Sequence, residues 1–113
     1  MIEKIVLDYL VANGPTENVY MEVPVNPPGQ YIVLEKTGSA REDKIDRAQM
    51  AIQSYSANSL LEAATLNEAV KECLEDMADN EDAIFAARLN SDYNYTNTAS
   101  KEYRYQAVFD FYY

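Results

Sequence analysis

The sequence predicts an α+β fold: a mostly antiparallel sheet of about five strands, with a long helix and a short N-terminal helix packed on one face. Three observations predict it. Apolar residues recur at helical spacing near the N-terminus and again from residue 60 onward. Elsewhere apolar and polar residues alternate with the period of two that marks a strand. At 113 residues the chain can bury one core, so a single domain over 1–113 is expected.

Taken in order, Ile2 to Ala12 reads as a helix, with Ile2, Ile5, Val6, Tyr9 and Leu10 opposite Glu3, Lys4 and Asp8. Asn13-Gly14-Pro15 ends it: Gly14 suits a left-handed cap and Pro15 forbids continuation. Val19 to Val23 alternates and reads as a strand. Pro24 and the run Asn26-Pro27-Pro28-Gly29 force a turn, because proline lacks the amide a ladder needs. Tyr31 to Lys36 is a strand whose continuous apolar run predicts burial on both faces. Thr37 to Asp46 reads as a loop, either a solvated connection or a flexible arm that orders on a neighbouring subunit. Ala48 to Ser56 is a strand, with Ala48, Met50, Ile52 and Ser54 on an apolar face and Gln49, Ala51, Gln53 and Tyr55 on a polar one. It is expected to pair antiparallel with the strand before it.

Ser59-Leu60-Leu61-Glu62 fits a capping box and opens the long helix, expected from Leu60 to Met77. Ala63, Leu66, Val70, Cys73 or Leu74, and Met77 form its apolar stripe. Asp79 to Asp82 reads as a loop. Ile84 to Ser91 is a strand by alternation, with Phe85, Ala87 and Leu89 on one face. Tyr95 to Ser100 is a polar hairpin tip. Tyr103 to Tyr112 is the last strand, with Tyr103, Tyr105, Ala107, Phe109 and Phe111 on one side and Arg104, Gln106, Val108, Asp110 and Tyr112 on the other.

Nineteen acids against nine bases, with no histidine, give a net charge of −10. Such a surface repels nucleic-acid phosphates and anionic lipid, so neither a conventional nucleic-acid-binding role nor a membrane role is expected. The acidity either keeps the chain soluble or lets DNA pass without sticking. No stretch approaches the roughly 20 apolar residues of a membrane span, and Met1-Ile2-Glu3-Lys4 has the wrong charges for a secretion leader. A lone cysteine, Cys73, leaves no internal disulfide, so a reducing cytoplasm is the expected compartment. Ten tyrosines stand against three phenylalanines and no tryptophan, and six of the ten fall in the last 21 residues, which suits strands and protein interfaces.

Familiar catalytic patterns are missing. Without histidine there is no Ser-His-Asp triad and no histidine metal site. Cys73 lies in a helical apolar stripe, where an inert thiol is expected. Gly14, Gly29 and Gly38 are too dispersed for a phosphate-cradling loop. The acidic run Asp76, Asp79, Glu81, Asp82 lacks the central glycine and distal glutamate of a calcium loop. Asn94-Tyr95-Thr96 matches the glycosylation sequon, a chance match without a secretion signal. No catalytic residue, cofactor or metal is expected, and no particular carboxylate pair stands out for catalysis.

One set of features points further. The short helix before Pro15 is followed by a strand and Pro24 and Pro27, then Tyr31-Ile32-Val33-Leu34-Glu35-Lys36-Thr37-Gly38. The strand Ala51-Ile52-Gln53-Ser54-Tyr55-Ser56 leads into a Glu- and Ala-rich helix, and the end carries Arg104-Tyr105-Gln106-Ala107-Val108-Phe109-Asp110. Across nearly the whole chain this order of elements and strings resembles the tail terminator (tail completion) proteins of long-tailed bacteriophages and prophages. The acid-rich segment from Asp76 to Asp82 departs from the pattern. The resemblance implies a homo-oligomeric ring, six-fold in that family, that caps the tail tube, ends its polymerisation and presents its other side to the head–tail connector protein. It implies the tail tube protein and the connector protein as partners, DNA passing through without being bound, and a location in the host bacterial cytoplasm and then the virion tail.

A ring needs head-to-tail contacts, so each subunit must carry two unlike adhesive surfaces. Candidates are the loop from Thr37 to Asp46, with Arg41 and Lys44 salt-bridging a neighbour, and the last strand, with Tyr103, Tyr105 and Phe109 in core or interface packing. A head–tail connector or adaptor component is the alternative within phage assembly. A different class, an acidic DNA mimic that inhibits a host nuclease, fits the charge but not the apolar content of 48%.

Overall fold

The computed structural model describes residues 1–97, 99–100 and 102–113. In chain order it holds α1 (Ile2–Asn13), β1 (Val19–Tyr20), β2 (Gln30–Glu42), β3 (Ile45–Ser56), α2 (Leu60–Glu75), α3 (Met77–Asn80), β4 (Ala86–Asn94) and β5 (Tyr103–Tyr112). The strands form one sheet in the order β1-β2-β3-β5-β4. The fold is α+β, as its patterning predicts. The pairs β2–β3, β3–β5 and β4–β5 are antiparallel, but β1 runs parallel to β2, so the sheet is mixed.

The parallel pair follows from the prolines. Residues 21–29 turn the chain back along the sheet edge to the start of β2, and Pro24, Pro27 and Pro28 within them cannot donate to a ladder. The expected strand Val19–Val23 is therefore only Val19–Tyr20, and Met21, Val23 and Val25 are exposed.

The helices cover one face. Val6 and Leu10 of α1, Leu66, Val70 and Leu74 of α2, and Met77 of α3 pack on Ile32, Leu34, Met50, Ile52, Phe109 and Phe111. Ser59 Oγ accepts the amide of Glu62 (3.0 Å). The reciprocal half of the expected capping box is absent, because the Glu62 carboxylate takes the Asn58 side-chain amide instead (3.0 Å). The long helix ends at Glu75, two residues early. A short turn of helix, α3, then carries Met77 into the core and includes Asp79 and Asn80, so part of the expected acidic loop is helical.

Three further expectations are corrected. Gly14 is extended (φ −82°, ψ 179°), not left-handed. Glycine is needed there for closeness: its amide donates to Leu10 O (2.8 Å), and a Cβ would stand 2.5 Å from that oxygen. The expected loop Thr37–Asp46 is mostly strand. β2 and β3 stay paired to Glu42↔Ile45 and turn through Asp43 and Lys44, both with positive φ (50° and 66°), the signature of a two-residue type I′ hairpin. The fourth strand starts at Ala86, not Ile84: Ile84 is buried in the core, whereas Phe85 stands 72% exposed. A register shift between Leu89 and Ser91 then turns Asp92 toward α2. The expected hairpin tip Tyr95–Ser100 includes Thr98, outside the described residues; beside it Asn97 bridges Glu102.

Candidate interaction surfaces

The face of the sheet without helices is the part the sequence understated. Register places Tyr31 beside Tyr55, Tyr55 beside Arg104, Gln53 beside Gln106, and Gln106 beside Tyr93, all on that face. Tyr31 and Tyr55 are nonetheless only 6% and 2% exposed, because these side chains lie over one another. Their rings stack at 4.5 Å and 6°, and Tyr20 meets Tyr31 edge-on at 6.3 Å. The Arg104 guanidinium lies over the rings of Tyr95 (4.5 Å) and Tyr55 (5.6 Å). Its Nε donates to Tyr95 O (2.7 Å) and its Nη1 to Tyr55 Oη (3.0 Å).

A directed chain of hydrogen bonds continues from there. Tyr55 Oη donates to Gln53 Oε1 (2.9 Å), Gln53 Nε2 to Gln106 Oε1 (2.9 Å), and Gln106 Nε2 to Tyr93 Oη (2.5 Å). Each amide is used at both ends, so the polar groups are satisfied without a covering layer. Burial pushes the Tyr31 hydroxyl up to about 12, helped by Tyr55 and Glu102 and opposed by Arg104. The only hint in the sequence was glutamine at the polar positions of two alternating strands.

The second surface is the arm formed by the outer part of the β2–β3 hairpin. From Glu35 to Glu42 each residue is exposed, and the molecule measures 44 × 25 × 24 Å along its principal axes. Arg41 Nε approaches Asp46 Oδ1 of its own hairpin at 3.7 Å, with both side chains largely in solvent. Lys44 sits in the turn itself.

Tyr103 and Tyr105 lie at the other end of the sheet, beside Ser56 and Ser54 on the helix-bearing face, and are half-buried. Phe109 is fully buried, so its role is core packing, since a neighbour cannot reach it. Arg41 and Lys44 are thus not brought together with the aromatic candidates; about ten strand residues, roughly 30 Å, separate the two groups.

Sequence reasoning also missed a clip between α2 and β4. Lys71 Nζ lies 2.8 Å from Asp92 Oδ2 and 2.8 Å from Glu68 Oε1, and Asn67 Nδ2 donates to the same Asp92 oxygen (3.0 Å). The bond to Asp92, then that to Glu68, raises the Lys71 ammonium above its ordinary range. Cys73 is half-buried, and burial, then Asp76, pushes its thiol up and so disfavours the thiolate.

Among the described residues no group of three or more acidic or cysteine side chains is arranged to hold a metal ion, and no helix is long and apolar enough to cross a membrane. No protein-family model matches the chain, and no curated protein matches it significantly.

Proposed function

We propose that this chain is a structural subunit that joins copies of itself head-to-tail into a ring of six and caps the growing end of a protein tube, as phage tail terminators do. The observation that carries the reading is the outer half of β2, Glu35–Glu42, whose side chains all stand outside the core, and the turn through Asp43 and Lys44 that carries the hairpin past the end of β5. An element of that kind costs ordering entropy and buries little, which suits a segment that finds its contacts on another chain. The sheet also has two unlike edges, as head-to-tail closure requires. The order of elements, a helix, three strands, a long and a short helix and two strands, also supports the reading.

The test is to add the purified chain to a polymerising tail tube protein and measure tube lengths by negative-stain electron microscopy. Short tubes with a density at one end are expected. Tubes of unchanged length without added density would contradict the reading. Capped tubes that grow no shorter, with binding to a connector protein instead, would favour an adaptor at the head side.

A further inference from the structure

Most side-chain cations of this acidic chain are held by their own carboxylates. Lys4 pairs with Asp8, Lys36 with Glu3, Arg41 with Asp46, Lys71 with Glu68 and Asp92, and Arg104 with Glu102. Among the described residues three lack such a partner: Lys44, Arg47 and Arg88. All three lie at one end of the sheet. Arg47 is paired in register with Tyr112, and Arg88 lies over the Tyr112 ring at 5.7 Å.

Exposed apolar side chains gather at the same place. Ile45 is 45% exposed and Phe85 72%. Ile45 and Tyr112 wall two adjoining hollows. One is completed by Ala40, Glu42, Asp43 and Arg47, the other by Phe85, Ala86 and Arg88. An apolar patch with unspent positive charge, on a chain of net charge −10, fits an apolar segment that carries an acid.

The opposite edge of the sheet offers such a segment. Met21-Glu22-Val23-Pro24-Val25 follows β1, with Val25 96% exposed, Met21 and Val23 about half exposed, and Glu22 exposed between them. Pro24 narrows its conformations, which reduces the entropy lost on docking. Resting on the ring-forming reading above, we infer that the segment Met21–Val25 of one copy docks in the Ile45/Phe85/Tyr112 hollow of the next. Glu42 and Asp43 repel an acid on the arm side of the hollow, so Glu22 meets Arg88 on the β4 side. The contact joins opposite edges of two sheets and is therefore heterologous: each copy donates one edge and receives on the other.

Disulfide trapping tests the pairing. In a Cys73→Ala background, Val25→Cys with Phe85→Cys is oxidised gently and run on a non-reducing gel. A ladder beyond the dimer is expected, whereas either single cysteine alone stops at the dimer. No product beyond the single-cysteine controls overturns the contact. Charge exchange gives a second reading that leaves the fold intact, since Glu22 and Arg88 are both exposed. Arg88→Glu weakens self-association by about tenfold, and adding Glu22→Arg restores most of it. Unchanged association of Arg88→Glu, with a native circular dichroism spectrum, overturns the pairing. A ladder that runs on without a closed species keeps the contact and removes the ring, so the two readings fail separately.

Discussion

Strand β2 passes through two environments. From Tyr31 to Leu34 each side chain is buried, Ile32 and Leu34 under the helices and Tyr31 and Val33 under the tyrosines of the opposite face. From Glu35 to Glu42 each is exposed, and β3 is the only strand that pairs with it, since β1 reaches no further than Val33; at its base Lys36 also pairs with Glu3 of α1. The same backbone ladder serves both halves. What differs is whether side chains are buried against other side chains or only touch them in solvent, and that decides which half stabilises the fold and which half is available to another chain. Amide hydrogen exchange should divide the strand accordingly, with slow exchange from Tyr31 to Leu34 and fast exchange from Thr37 to Glu42. Uniform protection along the strand would erase the distinction.

The largest effect belongs to the buried half and its neighbours. Phe109→Ala removes a fully buried ring between the helices and the sheet and should cost about 3–5 kcal/mol, read from the denaturant midpoint. A loss below about 1 kcal/mol would mean that the core is looser than its packing.

On the helix-free face the expected loss is smaller. Arg104→Met removes the hydrogen bonds to Tyr95 O and Tyr55 Oη, the longer pairing with Glu102 and the guanidinium over Tyr95 and Tyr55, but keeps much of the bulk, and about 1–2 kcal/mol is expected. No change would show that the tyrosines bury one another without it.

Tyr31 adds a pH dependence with a definite sign. Its hydroxyl is raised from 10.0 to about 12 in the fold. The folded state therefore favours the neutral phenol, and the stability this contributes is complete below pH 10.0 and lost as pH rises toward about 12. Tyr31→Phe should flatten that part of the stability curve; superimposable curves for both proteins would show that its ionisation is not linked to folding.

The arm should be the most tolerant region. Asp43→Asn with Lys44→Gly matches the residues a type I′ turn prefers and should stabilise by up to about 1 kcal/mol, read as a higher melting temperature. Arg41→Glu with Lys44→Glu should shift stability by no more than about 0.5 kcal/mol while weakening self-association. A double variant that folds and assembles like the wild type would take the arm's charges out of the contact.

The buried half was legible in the sequence because Tyr31-Ile32-Val33-Leu34 has no polar interruption and Phe109 and Phe111 alternate cleanly. The arm was not: Gly38, Ser39, Ala40 and four charged residues have weak strand preference, and only pairing with β3 makes them extended. The strand at Val19 was expected, but not its two-residue length or its parallel pairing, because alternation runs on to Val23 and says nothing of the direction in which residues 21–29 return the chain. Of the candidate site, the sequence located the arm and the aromatic strand but not their separation. Nor could it show that Tyr93, Tyr95, Arg104 and Tyr55 meet across three strands, since only the register of β3, β5 and β4 brings those positions together.

The claim that copies close head-to-tail is tested most directly by native mass spectrometry of the wild-type chain over a wide range of concentration and salt. The account predicts monomer in equilibrium with one discrete closed oligomer, six subunits being the expected size, that weakens as salt rises. A monomer at every concentration, or an open series of sizes with no preferred end, would contradict it.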